Sequence, residues 1–99
     1  MDAHVYILYS KKLNRYYTGI TSLDVEERLA NHLSKRYGKQ HYTYKADDWK
    51  LFWKLSCENM SQARKIELHI KKMKSKVYIQ NLIKYTEISE KLLSKYRTF

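Results

Sequence analysis

Runs of apolar residues at two different spacings divide this chain into strands and helices. Residues 4–9 are almost continuously apolar or aromatic, which predicts a strand covered on both of its faces. Residues 10–14 are polar and predict a turn, and residues 15–20 have the composition of a second strand. The short link between them favours an antiparallel hairpin. Residues 49–57 alternate loosely between apolar and polar and predict a third strand.

Helical spacing of apolar residues predicts helices in much of the remaining chain. Asp24 and Glu27 have the spacing of a capping box, and the helix that follows is expected to run to about residue 36. Ser61 is the expected N-cap of another helix, and residues 77–85 and 88–96 predict two more. The expected apolar faces of the first two helices consist of Val25, Leu29, Ala30 and Leu33, and of Ala63, Ile66, Ile70 and Met73. The element order predicts an α/β fold with a small central sheet.

The charge balance points to a polyanionic partner. Lys and Arg number 20 against 10 Asp and Glu, so the formal net charge is +10 over 99 residues. A positive field over so small a surface favours nucleic acid as partner, with an anionic membrane second. Among the possible functions of the protein, membrane binding nevertheless ranks last, because the chain lacks a long basic amphipathic helix with an aromatic apolar face.

Cysteine content and hydropathy exclude several other classes of protein. Cys57 is the single cysteine, which excludes an intrachain disulfide, and we expect it to be a small buried apolar residue. No group of Cys and His has the spacing of a zinc site. No apolar run approaches the roughly 20 residues of a membrane span, and residues 1–4 lack the features of a signal peptide. We therefore expect a single domain in the cytoplasm.

The two predicted hairpin strands carry the first candidate functional residues. Tyr6 and Tyr17 lie near the middle of their strands, and a short hairpin would bring both rings to one sheet face. Taken alone, these tyrosines are equally explained as ordinary strand residues. Gly19 lies inside a strand pattern, where glycine marks a bulge or the close approach of another group.

The predicted helices carry the other candidates. Arg28 and His32 are four residues apart and share a helix face, although a solvated polar stripe would show the same spacing. Glu67 lies beside the apolar face of a helix rich in Lys and Arg. Two interpretations of Glu67 stay open: an ion pair with Lys71 at position i+4, and a ligand for a hard divalent cation.

Together these residues resemble the GIY-YIG nuclease family. The opening strand contains Val5-Tyr6-Ile7-Leu8 and the second contains Tyr17-Thr18-Gly19-Ile20-Thr21, similar to the small stand-alone members. The stretch 27–32 resembles the helix with the family's arginine, and 61–67 its glutamate helix. The resemblance covers residues 4 to about 85 and implies a three-stranded antiparallel sheet flanked by helices. Residues 1–99 then form one such domain, with 86–99 as a C-terminal helical extension.

The resemblance also implies roles for individual residues. Glu67 corresponds to the sole protein ligand of Mg²⁺ or Mn²⁺, which suits an ion that keeps several waters. Arg28 corresponds to the residue that holds the scissile phosphate. Tyr6 or Tyr17 accepts the proton of the attacking water, and His32 assists the tyrosine or relays the proton. A free phenol has a pKa near 10, so either tyrosine needs a neighbour that lowers that value.

The chain departs from the family pattern at several positions. His4 stands where the family name has glycine, and Asn81 is a candidate equivalent of an asparagine that follows the glutamate helix in many members. The segment between the first helix and the third strand is basic and aromatic but lacks the usual glycine- and lysine-rich loop. From this segment and the later lysine run, the expected nucleic-acid-binding residues are Lys35, Arg36, Lys39, Tyr42, Tyr44, Lys45, Lys71, Lys72 and Lys74. A solvated helix face explains the lysine run equally well.

The sequence thus favours a metal-dependent DNA endonuclease that selects structure rather than sequence. The alternative is a nucleic-acid-binding module of the same fold without catalysis, which would gain nothing from the carboxylate of Glu67 beside phosphates. Double-stranded or branched DNA is the expected partner, with RNA as the alternative. We expect neither a membrane partner nor a small-molecule cofactor, and the sequence does not predict the oligomeric state.

Overall fold

The protein forms a small sheet with helices on both faces. The computed structural model describes residues 3–22, 24–33 and 45–97. The predicted nucleic-acid contacts at residues 35–44 lie outside these ranges. The elements follow the predicted order, and their bounds are β1 (Ala3–Ser10), β2 (Arg15–Thr21), α1 (Val25–Leu33), β3 (Lys50–Cys57), α2 (Met60–Met73), α3 (Lys76–Lys84) and α4 (Thr86–Lys95).

The three strands form an antiparallel sheet in the order β2-β1-β3. The predicted hairpin is confirmed, and its register pairs Tyr6 with Gly19 and Leu8 with Tyr17. Tyr6 and Tyr17 are therefore diagonal neighbours on one sheet face. Asn14 closes the hairpin with a left-handed backbone (φ 51°), a conformation that asparagine tolerates better than most residues. As the central strand, β1 is buried on both faces, which explains its continuous apolar run.

One face of the sheet packs against α2, α3 and α4. Val5 and Ile7 of β1 meet Ile66 and Ile70 of α2 there, all of them almost completely buried. Leu92 of α4 belongs to the same core. The side-chain amide of Gln62 in α2 also donates a hydrogen bond of 2.9 Å to the backbone carbonyl of Leu93. The C-terminal helix is therefore fixed to α2 by both apolar and polar contacts.

The opposite face carries a smaller core formed with α1 and residues 45–49. Tyr6 and Leu8 of β1 pack there with Val25 and Trp49. The segment before β3 is anchored by Asp48, whose carboxylate accepts hydrogen bonds from the Ser10 hydroxyl (2.6 Å) and the Lys12 backbone N–H (2.9 Å). These bonds hold the pKa of the Asp48 carboxyl below its ordinary value. They also fix the position of Trp49 beside the sheet.

Two details of the helices differ from the sequence predictions. The N-cap of α2 is Asn59 rather than Ser61, and its side chain accepts a hydrogen bond from the Gln62 N–H. Met73, expected in the apolar face, is 45% exposed because α2 ends there and the chain turns away at Lys74 (φ 49°).

The buried face of α1 is also rotated relative to the prediction. Ala30 and Leu33 are exposed, whereas His32 is completely buried. The imidazole faces the sheet because it forms a hydrogen bond there, which is described below. At the start of α1, hydrogen bonds with the side chain and the backbone of Glu26 lower the pKa of the Asp24 carboxyl.

Within the described ranges, no helix has the length and apolar character needed to cross a membrane.

Candidate active site

A buried tyrosine and a buried histidine form the centre of the candidate site. Tyr6 and His32 both have no exposed surface, and the Tyr6 hydroxyl shares a hydrogen bond of 3.0 Å with Nε2 of His32. Tyr6 comes from the central strand and His32 from the last turn of α1. The bond satisfies two polar groups that would otherwise be costly to bury, and it ties α1 to the sheet.

Gly19 makes room for this pair. It lies opposite Tyr6 on β2, and a Cβ atom at Gly19 would lie 2.5 Å from the Tyr6 hydroxyl oxygen and 2.6 Å from Cζ. Any larger residue would therefore displace the ring of Tyr6. Gly19 is therefore a point of close approach, and the group that approaches is the tyrosine side chain of the neighbouring strand.

We expect Gly19→Ala to destabilise the fold. The ring of Tyr6 is enclosed on all sides, so the added methyl forces strain of about 1–3 kcal/mol and disturbs the bond to His32. For a domain of this size each 1 kcal/mol lowers the melting temperature by roughly 4–8 °C. Thermal unfolding followed by circular dichroism measures this change.

The matched control for this prediction is the same substitution in a Tyr6→Leu background. Leucine has no Cζ or hydroxyl, so the clash with the new Cβ disappears and Gly19→Ala becomes much less costly. An equal loss of stability in both backgrounds would show that Tyr6 is not the group that requires glycine.

Tyr17 connects the buried pair to the surface. Its ring is half-buried and packs edge-on against His32, with 5.1 Å between the ring centroids. Its centroid lies 6.4 Å from that of Tyr6 and 6.5 Å from that of Trp49. The prediction that both tyrosines share a face is therefore confirmed, and their environments differ because Tyr17 alone also lines a cleft.

This cleft, which we call the tyrosine cleft, lies between the edge strand β2 and the end of α2. Its volume is about 520 Å³, and its lining includes Arg15, Tyr16, Tyr17, Lys71, Lys74 and Lys76. Four of these six side chains are cationic, so the cleft attracts an anion. Lys71 and Lys74 were expected to contact nucleic acid, whereas Arg15, Tyr16 and Lys76 were missed. Two features of the sequence could have identified the missed cations. Arg15 directly precedes the Tyr-Tyr-Thr-Gly segment, and Lys76 ends the lysine run.

Glu67 lies in α2 one helical turn before Lys71. Its side chain is only 10% exposed, and Oε2 lies 3.4 Å from Nζ of Lys71. The predicted i,i+4 ion pair is thus present. Because Lys71 also lines the tyrosine cleft, this contact links the carboxylate to the edge of the sheet that carries Tyr17.

The donor set around Glu67 fits a magnesium or manganese ion and does not fit zinc. Among residues 3–22, 24–33 and 45–97, no three Asp, Glu, His or Cys side chains lie close enough together to hold a metal ion. Mg²⁺ commonly needs only one or two carboxylates, with water and phosphate oxygens completing its shell. A carboxylate has about four lone-pair sites, so one contact with Lys71 leaves Glu67 able to bind an ion.

The other predicted residues occupy different positions around this centre. Arg28 is half-buried on α1, one turn before His32, and its Nε atom is enclosed by protein. Asn81 is half-buried in α3, where its backbone carbonyl accepts a hydrogen bond from the Tyr85 N–H. It does not line the tyrosine cleft. Lys45 is exposed at the start of the segment that leads to Trp49.

Comparisons with known proteins agree with this arrangement. Residues 2–82 match the family model of the GIY-YIG catalytic domain. The fold is similar to the solution NMR structure of a UPF0213 protein from Bacillus halodurans, with 26% identity, a TM-score of 0.52 and complete coverage of both chains. A search of curated proteins found no match. The family model spans β1 through most of α3, so every predicted catalytic residue falls inside it. The chain belongs to the GIY-YIG family of nuclease domains.

Proposed function

We propose that the protein is a metal-dependent endonuclease that hydrolyses phosphodiester bonds of DNA and selects DNA structure rather than sequence. The observation that supports this most directly is the almost buried carboxylate of Glu67 beside a cationic cleft, one wall of which is the strand that carries Tyr17. Cations of the cleft contact phosphates, which carry no direct sequence information. A binding surface alone does not require the carboxylate.

Accessibility supports Tyr17 rather than Tyr6 as the residue that takes the proton of the attacking water. A proton acceptor has to reach the water, directly or through one further molecule. Tyr6 has no exposed surface, whereas Tyr17 is half-buried. The pair of Tyr6 and His32 then acts as the support that holds the ring of Tyr17 in place.

The charged residues supply the remaining functions. Arg28 holds the scissile phosphate with its planar set of donors, while Arg15, Lys74 and Lys76 attract the strand to the cleft. A Mg²⁺ or Mn²⁺ ion bound by Glu67 would neutralise charge that develops on the phosphate and the leaving oxygen.

A binding module without catalysis is the second candidate function. The observation that favours it is the ion pair of Glu67 and Lys71, which gives the carboxylate a structural role without any metal. In that case the cationic cleft still binds phosphates, and the protein cuts nothing.

Incubation with supercoiled plasmid, with and without magnesium, distinguishes the two functions. We expect magnesium-dependent conversion to the nicked form before the linear form, because one site cuts one strand. Arg28→Ala should abolish the conversion and still bind DNA through the remaining cations. Branched and single-stranded DNA in the same assay identify the preferred structure. No cleavage of any of these substrates by the unaltered protein, or wild-type rates for Arg28→Ala, would contradict the proposal.

A further inference from the structure

A second cationic cleft lies on the other side of α2. Its volume is about 640 Å³, and its lining includes Lys65, His69 and Lys72 of α2 together with Lys95 and Tyr96 at the end of α4. We call it the His69 cleft. The three α2 residues follow one another at spacings of four and three, which places them on one helix face. Glu67 and Ile70, on the face toward the sheet, are buried.

Helix geometry divides the lysine run of α2 between the two clefts. Lys71 and Lys74 line the tyrosine cleft, whereas Lys72 lines the His69 cleft. Lys71, Lys72 and Lys74 were expected to bind nucleic acid, and the structure places them at two separate clefts. Each side therefore presents cations to a different part of any bound polyanion.

Polar and aromatic contacts give the His69 cleft a defined shape. Nδ1 of His69 shares a hydrogen bond of 2.8 Å with the Tyr96 hydroxyl, which joins α2 to the end of α4. The rings of Tyr78 and Tyr96 pack against the imidazole at centroid distances of 5.9 Å and 5.6 Å. Nζ of Lys95 lies 5.4 Å from the centroid of the Tyr96 ring. The cleft thus has a fixed aromatic wall beneath its lysines.

The electrostatic environment of this cleft is positive. Lys65, Lys72 and Lys95 contribute three cations to its lining, and the described residues that line the cleft include no carboxylate. Leu68 and Met73 add exposed apolar surface beside the lysines. Adjacent cationic and apolar groups suit the phosphates and sugars of a nucleic acid strand.

We propose that the His69 cleft binds the phosphodiester backbone of a second arm or strand of the DNA whose first strand enters the tyrosine cleft. This inference rests on DNA being the ligand of the proposed function, but it does not require cleavage. Since the two clefts lie on different sides of α2, a branched DNA with diverging arms reaches both more readily than a straight duplex. The cleft therefore provides a physical basis for selecting branched substrates.

A pair of matched double variants tests the proposal. Lys65→Ala with Lys95→Ala removes two cations from the His69 cleft. Lys84→Ala with Lys91→Ala removes two exposed cations elsewhere, and Lys84 contacts the ring of Tyr85 at 5.4 Å just as Lys95 contacts Tyr96. Each double variant therefore loses two positive charges and one of these two cation–aromatic contacts. Affinity for a four-way DNA junction and for a linear duplex is measured over a range of salt concentrations without metal.

We expect the cleft variant to bind the junction more weakly and with a smaller salt dependence. Loss of two phosphate contacts makes the slope of log affinity against log salt about 1.8 shallower, whereas the control keeps the slope of the unaltered protein. The effect should be smaller for the linear duplex. Equal slopes in the two double variants would overturn the proposal, and so would an equal effect on junction and duplex.

The two double variants also separate this proposal from the proposed catalysis. Since these measurements omit metal, failure of the nuclease assay alone contradicts the proposed catalysis and leaves the second cleft supported.

Discussion

Glu67→Gln should fold normally and lose magnesium-dependent cleavage. The amide has nearly the same shape as the carboxylate but no charge, so it no longer attracts a divalent ion. Removal of one group that stabilises transition-state charge commonly lowers kcat about 10²–10³-fold. Without metal, the variant should bind DNA at least as tightly as the unaltered protein, because a negative charge near the phosphates is gone. Cleavage rate, metal-free affinity and melting temperature are measured on the same preparation.

Glu90→Gln is the control for the change in net charge. Glu90 is an exposed carboxylate on α4, and its neutralisation should change cleavage and stability very little. If Glu67 is only the ion-pair partner of Lys71, Glu67→Gln should cost a few tenths of a kcal/mol, as for other i,i+4 pairs with an exposed member. Unchanged cleavage by Glu67→Gln would therefore support the structural role and contradict metal binding at this residue.

The hairpin and its tyrosines could be predicted because their signals are local. Strand composition and a short polar turn predict an antiparallel pair within one short stretch of chain, and the structure supplies its register. Once Tyr6 pairs with Gly19, the shared face of Tyr6 and Tyr17 follows from strand geometry alone. The family resemblance then supplied the roles that geometry could not.

The features that the sequence did not predict depend on contacts between distant segments. Asn59 and Ser61 are both residue types that cap helices, and only the backbone conformation selects Asn59 as N-cap and places Ser61 in the first turn. His32 is buried because Tyr6, 26 residues away, offers it a hydrogen bond. Arg15 and Lys76 meet at one cleft although two helices and a strand separate them along the chain. Spacing rules within one element cannot identify such pairs.

The division of the lysine run illustrates the same limit. Lys71, Lys72 and Lys74 are nearly adjacent in sequence, and composition treats them as one basic patch. The 3.6-residue repeat of the helix sends Lys72 to a different side, but only the packing of α4 creates a cleft there. The tertiary structure is therefore needed to decide whether a run of charged residues forms one binding surface or two.

Tyr17→Phe should slow cleavage strongly while leaving the fold intact. The substitution deletes one hydroxyl from a half-buried ring whose packing against His32 and Trp49 stays the same. Loss of a positioned proton acceptor commonly lowers the rate 10²–10⁴-fold, and affinity for DNA should barely change because the cations of the tyrosine cleft remain. Single-turnover cleavage with saturating protein separates this effect on chemistry from any effect on binding.

Two neighbouring tyrosines serve as controls for this prediction. Tyr16 lines the same cleft and only accepts a hydrogen bond of 3.5 Å from the Gln80 side chain, so Tyr16→Phe should cleave at nearly the normal rate. Tyr6→Phe breaks the buried bond to His32, which should cost about 1 kcal/mol of stability and slow cleavage less than Tyr17→Phe. If Tyr6→Phe proved the slowest of the three, the proton would instead go to the buried tyrosine, and the site would have to open before the water could reach it.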